Sequence, residues 1–278
     1  MKDRLEALLE NVGDMALKRR ARRVIQQLEL KKGDKVLDLG CGNGYYPYLL
    51  SRIPLNLKIT GIDSHLNAIE DAKRDVGEKN AKFIIGNAEK LPFPENSFDK
   101  IVMSEIIEHV RDDIMVLKEA RRVLKPGGIL VLTTPNKNYP FLWDPINWFL
   151  DHFFNFHIKS GFFSGIWNQH IRLYTPEGLI QTVKKSGLKV EEVKVLTHYG
   201  LPFNHFLLNL GYRIRKSKTL PGSVTKSLSK FSSDNGGNRD LYHLFLKAVN
   251  FIDRLNDREF NLDTSTVGIS LVAIKQRA

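Results

Sequence analysis

The sequence predicts an α/β fold in which helices cover both faces of a seven-stranded, mostly parallel sheet, and three observations carry that reading. Apolar segments at 35–39, 57–62, 81–85, 98–103 and 129–134 alternate with helix-patterned segments, and such alternation implies right-handed crossovers between parallel strands. The first strand runs Val36-Leu37-Asp38-Leu39 directly into Gly40-Cys41-Gly42-Asn43-Gly44 and a helix. The second ends Gly61-Ile62-Asp63. Glycines let a backbone turn sharply and approach a ligand, the helix that follows offers unpaired N–H groups, and a carboxylate ending the neighbouring strand can accept both hydroxyls of a ribose.

Each element follows in order. Leu5, Leu8, Val12, Met15 and Ala16 recur at helical spacing, so an N-terminal segment, 1–30, contributes one or two amphipathic helices over 3–29. A helix is expected from Asp112 to Leu124, before the strand at 129–134. After Asn136 the alternation stops until Thr175-Pro176-Glu177, where a hydroxyl N-cap followed by proline starts a helix ending near Gly187. Val190 to Leu196 and Thr266 to Ile274 read as the last two strands. The chain thus reads as a single domain, 1–278, with two insertions that follow strand carboxyl ends: an aromatic one at 137–172 and a basic one at 200–262. Ser223 to Asn238, rich in Ser, Gly, Asn and Lys, predicts a mobile loop.

Composition excludes several classes. No stretch reaches the roughly 18 apolar residues that span a bilayer, and Met1-Lys2-Asp3-Arg4 does not open a signal peptide, so the expected location is cytoplasmic. Cys41 is the single cysteine, which excludes an intrachain disulfide and leaves a cysteine nucleophile no second thiol. A net charge of +11 favours an anionic partner such as nucleic acid, a membrane surface or a phosphorylated substrate. Basic residues cluster at Lys18-Arg19-Arg20-Ala21-Arg22-Arg23 and at Arg213, Arg215, Lys216, Lys218, Lys226 and Lys230, where a solvated helix face and a loop are the plainer reading.

The loop is Gly-x-Gly-x-Gly with Tyr45 following, which departs from the Gly-x-Gly-x-x-Gly of dinucleotide sites. Asp38 would repel a pyrophosphate but suits a ligand carrying an ammonium and a sulfonium. Together with Gly86-Asn87-Ala88-Glu89-Lys90-Leu91-Pro92-Phe93, Phe98-Asp99-Lys100-Ile101-Val102-Met103-Ser104 and Leu124-Lys125-Pro126-Gly127-Gly128-Ile129, these residues resemble class I S-adenosylmethionine-dependent methyltransferases over about 30 to 136. The closest likeness in motif is to the type 11 and ubiquinone-biosynthesis O-methyltransferase group. The resemblance implies a Rossmann-like sheet whose last strand enters antiparallel between the fifth and sixth, and S-adenosyl-L-methionine as cofactor. It implies a cofactor set of Asp38, Gly40, Cys41, Gly42, Asp63, Ser64, Asn87, Ala88 and Ser104, with Asn87 standing where many members have Asp.

Methyl transfer is an in-line displacement, so the protein must align an acceptor and, for a hydroxyl, remove or weaken its proton. Glu105, Glu108 and His109 fall at i, i+3 and i+4 after the fourth strand, one face if that stretch is helical. Glu105-x-x-Glu108-His109 resembles a segment of the ubiquinone-biosynthesis and small-RNA 2′-O-methyltransferases that can hold a divalent metal, and His170 resembles a further histidine of that family. Three readings stand for these catalytic candidates: metal ligands, His109 as general base, or packing alone. The Asn/Asp-Pro-Pro-Tyr segment of amino-group methyltransferases is missing after the fourth strand, which favours an oxygen acceptor. Trp143, Trp148, Trp167 and eight more aromatics fall between 139 and 167, where Asp144-Pro145 starts a helix with Ile146, Phe149, Leu150, Phe153 and Phe154 on one face. That face reads as a lid packed on the sheet, as the wall of a lipophilic acceptor pocket, or as an interfacial helix with Arg213 to Lys230 on an anionic inner membrane face. A lipophilic small-molecule acceptor is therefore the first reading; an RNA methyltransferase and a catalytically inactive cofactor-binding regulator are the alternatives.

Overall fold

The computed structural model describes residues 2–10, 12, 14–200 and 250–277; Arg213 to Lys230 and Ser223 to Asn238 lie outside them. Two helices precede the sheet, α1 (Lys2–Leu9) and α2 (Met15–Gln27). Asp14 caps α2 by accepting from the Leu17 N–H at 3.0 Å, satisfying one of the donors a helix start leaves open. Leu17, Ala21, Val24 and Ile25 form its buried stripe.

Seven strands follow: β1 (Lys35–Leu39), β2 (Lys58–Asp63), β3 (Lys82–Ile85), β4 (Phe98–Ser104), β5 (Leu124–Pro135), β6 (Lys189–Leu196) and β7 (Gly268–Ile274). Their order is β3-β2-β1-β4-β5-β7-β6. The strands from β3 to β5 pair in parallel, while β7 runs antiparallel to both β5 and β6, as the resemblance implies. The carboxyl ends of β1, β2 and β4 therefore share one edge of the sheet, and the loops that leave them carry most of the candidate site residues.

Strand periodicity of two divides the core. Val36, Val102, Val131 and Val272 pack with residues of α2, α3 (Tyr45–Ser51) and α4 (Leu66–Val76) on one face. Leu37, Ile101, Leu130 and Leu271 pack with α5 (Asp113–Val123) and α7 (Pro176–Lys185) on the other. Each fully buried aliphatic side chain contributes about 1.5–3 kcal/mol, so these two layers fix the strand ends that carry the chemistry.

One boundary differs from the sequence reading. β5 begins at Leu124, directly after α5, because Phe98 pairs with Leu124 across a bulge before the register resumes at Lys100 with Ile129. Gly127, at φ +76°, makes that bend possible. Between β5 and α7 lie α6 (Pro145–Phe154) and a 3-10 turn at Phe162–Trp167. No helix among the described residues is long and apolar enough to cross a membrane.

Candidate active site

The glycine loop and the end of β2 are tied together before any ligand is considered. Gly40 and Cys41 donate their N–H groups to the Ile62 carbonyl at 2.8 and 3.0 Å. Asp63 accepts from the Gly42 N–H at 2.9 Å through one carboxylate oxygen and from the His65 N–H at 2.9 Å through the other. Gly40, Gly42 and Gly44 all have positive φ, and a Cβ added to Gly40 would come within 2.4 Å of Ile106 Cδ1. A side chain at position 40 would therefore strain the backbone and collide with Ile106.

Asp38 lies beneath this loop, 2 % exposed, with Oδ2 buried and without a hydrogen-bond partner. Burial, reinforced by the charge of Asp63, pushes its carboxyl up to about 8. Cys41 packs against Gly61, and burial with the nearby Asp38 and Asp63 raises its thiol, the opposite of what a nucleophile requires. Ser64 is exposed beside His65, with Oγ 3.2 Å from the His65 Nδ1. After β3, Gly86 donates to the Asp63 carbonyl at 2.9 Å, Asn87 accepts from the Glu89 N–H at 2.9 Å to close a turn, and Ala88 is half-buried. The nine cofactor candidates thus fall at the carboxyl ends of the four neighbouring strands β3, β2, β1 and β4.

At the end of β4, Ser104 Oγ lies 2.8 Å from Thr133 Oγ1 and 3.1 Å from the Tyr46 hydroxyl. The next residues are not a helix. Glu105 adopts φ +56°, and a single turn is closed by His109 N–H to the Ile106 carbonyl at 2.9 Å. The left-handed residue takes Glu105 off the face shared by Glu108 and His109, and its carboxylate meets Arg20 of α2, Nη1 to Oε2 at 2.7 Å. Glu108 is fully buried. It accepts from Thr134 Oγ1 at 3.0 Å through Oε2, while Oε1 has no hydrogen-bond partner. Burial, then the charge of Glu105, raises its carboxyl well above the usual range.

A distant segment completes this side. The Ile171 N–H donates to the Glu108 carbonyl at 2.9 Å, and Arg172 pairs with Asp113 at 2.7 Å, so residues 170–172 are strapped to the start of α5. His170 consequently faces His109 edge to face, ring centres 4.7 Å apart, and His109 Nδ1 lies 3.1 Å from the Gln169 carbonyl. With Nδ1–H donating there, Nε2 of His109 is left as a base or ligand. One ligand atom each from Glu108, His109 and His170 lies within 4.8 Å of the others. Two imidazoles and a carboxylate with an unpartnered oxygen fit a divalent transition metal.

The basic run at 18–23 is largely engaged inside the chain: Arg19 with Asp253 and Asp257, Arg20 with Glu105, Arg22 with Glu6, and Lys18 with Asn250. Sequence reasoning missed Arg20, Tyr46 and Thr133 as neighbours of the site. Arg20 carried one signal, a basic residue on the α2 helix whose other face is apolar.

The methyltransferase domain family matches residues 30–183, more than half of the chain and including the loop, Asp63 and the Glu105–His109 turn. The chain belongs to the class I S-adenosylmethionine-dependent methyltransferases. This methyltransferase is 32% identical over 185 residues to a demethylmenaquinone methyltransferase of Thermotoga maritima, covering 61% of this chain and 76% of that one. A demethylmenaquinone methyltransferase of Staphylococcus aureus is 38% identical over 112 residues, 40% of this chain and 46% of that protein, so the match spans less than half of its length. Among solved structures, phosphoethanolamine N-methyltransferase 2 of Haemonchus contortus in complex with S-adenosyl-L-methionine shares the fold, with a TM-score of 0.55 and 20% identity over 93% of this chain and 52% of that one.

Proposed function

We propose that this methyltransferase moves the methyl group of S-adenosylmethionine to a hydroxyl of a lipophilic, quinol-like small molecule. The observation that carries the reading is the cluster of Glu108, His109 and His170 at the carboxyl end of β4, beside the strand end that continues the donor site. The acceptor oxygen attacks the sulfonium methyl, the C–O bond forms as the S–C bond breaks, and His109 Nε2 takes the hydroxyl proton. General base catalysis of this kind supplies typically 10²–10⁴-fold. If a divalent ion is bound, Glu108, His109 and His170 would hold it, and it would supply the acidity of the acceptor hydroxyl as a Lewis acid.

The aromatic segment supports the lipophilic part. Tyr139, Trp143, Ile166 and Trp167 form a buried cluster of their own. Around it the helix α6 is inverted: Asp144 and Asn147 are fully buried, Asn147 donating to Asp144 and Asp144 also accepting from the Ile166 N–H, whereas Phe149, Phe153 and Phe154 are 48%, 66% and 66% exposed. An exposed aromatic face on the insertion after β5 suits an acceptor drawn from an anionic membrane surface by a cytoplasmic, peripherally associated enzyme. RNA ranks lower as acceptor because the N-terminal basic run already meets Glu6, Asp253, Asp257 and Glu105.

The test is transfer of labelled methyl from S-adenosylmethionine to three acceptor classes: a prenylated hydroquinone, a water-soluble phenol and RNA. Preference for the first supports the reading, and preference for RNA overturns it. Activity that survives exhaustive chelation would leave His109 as base without metal.

A further inference from the structure

β5 and β6 both run antiparallel to β7, so they run parallel to each other, and the carboxyl end of β6 lies on the edge that carries the glycine loop. There Leu196 and Thr197 meet α2 and the segment 250–260 around a cleft of about 370 Å³. Its walls are tied together. Asn256 accepts from the His198 and Tyr199 N–H groups, each at 2.8 Å, and donates to the Tyr199 carbonyl at 2.9 Å. Arg19 joins α2 to the same segment, pairing with Asp253 and Asp257 and donating to the Asn256 carbonyl at 2.8 Å.

Four arginines line this cleft: Arg19, Arg22, Arg23 and Arg258. Three come from α2 at i, i+3 and i+4, which is one helix face. Two of the four are neutralised, Arg19 as above and Arg22 by both carboxylate oxygens of Glu6, at 2.7 and 2.8 Å. The other two are not. Arg23 is half-buried and is ion-paired with no carboxylate among the described residues, since the nearby Glu259 pairs with Lys194 instead. Arg258 donates to the Tyr199 hydroxyl, and its guanidinium lies 5.1 and 5.5 Å from the ring centres of Tyr199 and Phe260. Such ring contacts hold a guanidinium in place and leave most of its five donors unused. Like charges converging on one cleft repel, and an anion seated between them relieves that repulsion.

We propose that the cleft is a binding site for a phosphate group, with Arg23 and Arg258 as its receptors and Arg19 and Asn256 holding the walls that present them. Arginine forks match phosphate oxygens with paired N–H···O bonds. The sheet order sets β6 three strands from β4, roughly 14 Å at the usual strand spacing. The phosphate would thus belong to a part of a ligand, or to a lipid headgroup, remote from the reacting atoms.

Two probes test this on the full chain: inorganic pyrophosphate, followed by calorimetry, and mixed phosphatidylcholine–phosphatidylglycerol vesicles, followed by sedimentation. Arg23→Met with Arg258→Met is expected to lose about tenfold or more on the probe that the parent binds, as befits two charge-assisted contacts. Lys118→Met with Lys184→Met removes the same charge from exposed positions on α5 and α7, across the sheet, and should stay within about twofold of the parent. Loss on pyrophosphate supports a soluble phosphate-bearing ligand; loss on vesicles alone supports a headgroup. A parent that binds neither probe, a double arginine variant that keeps the parent's affinity, or an equal loss in the lysine variant overturns the proposal. Should melting curves show the double arginine variant unfolded, Arg258→Met alone, at an exposed position, is expected to lose about three- to tenfold, and unchanged affinity there overturns it equally.

Discussion

In the proposed donor site, the contacts come from residues 38–46 and 61–65, on neighbouring strands whose backbones are already hydrogen-bonded to one another. Around the acceptor, Glu108 depends on Thr134, His109 on Gln169, and His170 on the strap formed by Ile171, Arg172 and Asp113. The first region is a property of the sheet; the second is assembled from three separate stretches of chain. A local change on the donor side should therefore alter affinity for the donor alone, while the acceptor side should fail in catalysis with the donor still bound.

The largest expected effect tests that division at the acceptor. His109→Ala should reduce kcat by about 100-fold or more, the contribution of a general base, with affinity for S-adenosylhomocysteine within about twofold of the parent. A matching loss of donor affinity, read by calorimetry, would break the comparison. On the donor side, Asp63→Ala should weaken S-adenosylhomocysteine binding by about 1.5–3 kcal/mol, the range for hydrogen bonds to a charged group. Unchanged affinity in a folded variant would remove Asp63 from the ribose site.

The exposed face of α6 gives the next measure. Phe149→Ser with Phe153→Ser should lower the melting temperature only slightly, because the two residues are 48% and 66% exposed. Affinity for a prenylated acceptor should fall well beyond that for a water-soluble phenol. A large drop in melting temperature with both acceptors affected alike would make the helix a structural cover.

A further test is a pH dependence. In the proposed donor site Asp38 ionises to meet the ammonium, and in the unliganded protein burial and then Asp63 push it up to about 8. Donor affinity should accordingly rise with pH from 6 and level off above about 8. The same raised value means that the folded chain keeps a proton the unfolded chain has released above about pH 4. Unliganded stability should thus fall as pH rises from about 4 towards 8. Asp38→Asn should flatten both profiles; a parent whose donor affinity is flat over this range would contradict the assignment.

The two regions also differ in how far sequence alone could describe them. The strand order, the loop at Gly40–Gly44 and Asp63 at the end of β2 follow from contiguous patterns, since glycine spacing and strand alternation are local signals. Glu105 shows why the acceptor side was less legible: equal helical spacing placed it with Glu108 and His109, but one residue at positive φ turned it to Arg20. Arg20 itself lay within a run that composition alone could only call basic. In α6 the helix start was legible from Asp144-Pro145, yet its buried side is polar, because Asp144 and Asn147 bond to the backbone of the following turn. Gly165 allows that arrangement, as a Cβ there would overlap the Asp144 carboxylate. Such long-range pairings leave no periodicity to read.

The most direct test of the central claim is the position of the transferred methyl group. With methyl-labelled S-adenosylmethionine and a prenylated hydroquinone, analysis of the product by NMR and mass spectrometry should find the label on a hydroxyl oxygen, formed about 100-fold or more slowly after His109→Ala. Label on a ring carbon, on nitrogen or on RNA alone would contradict it.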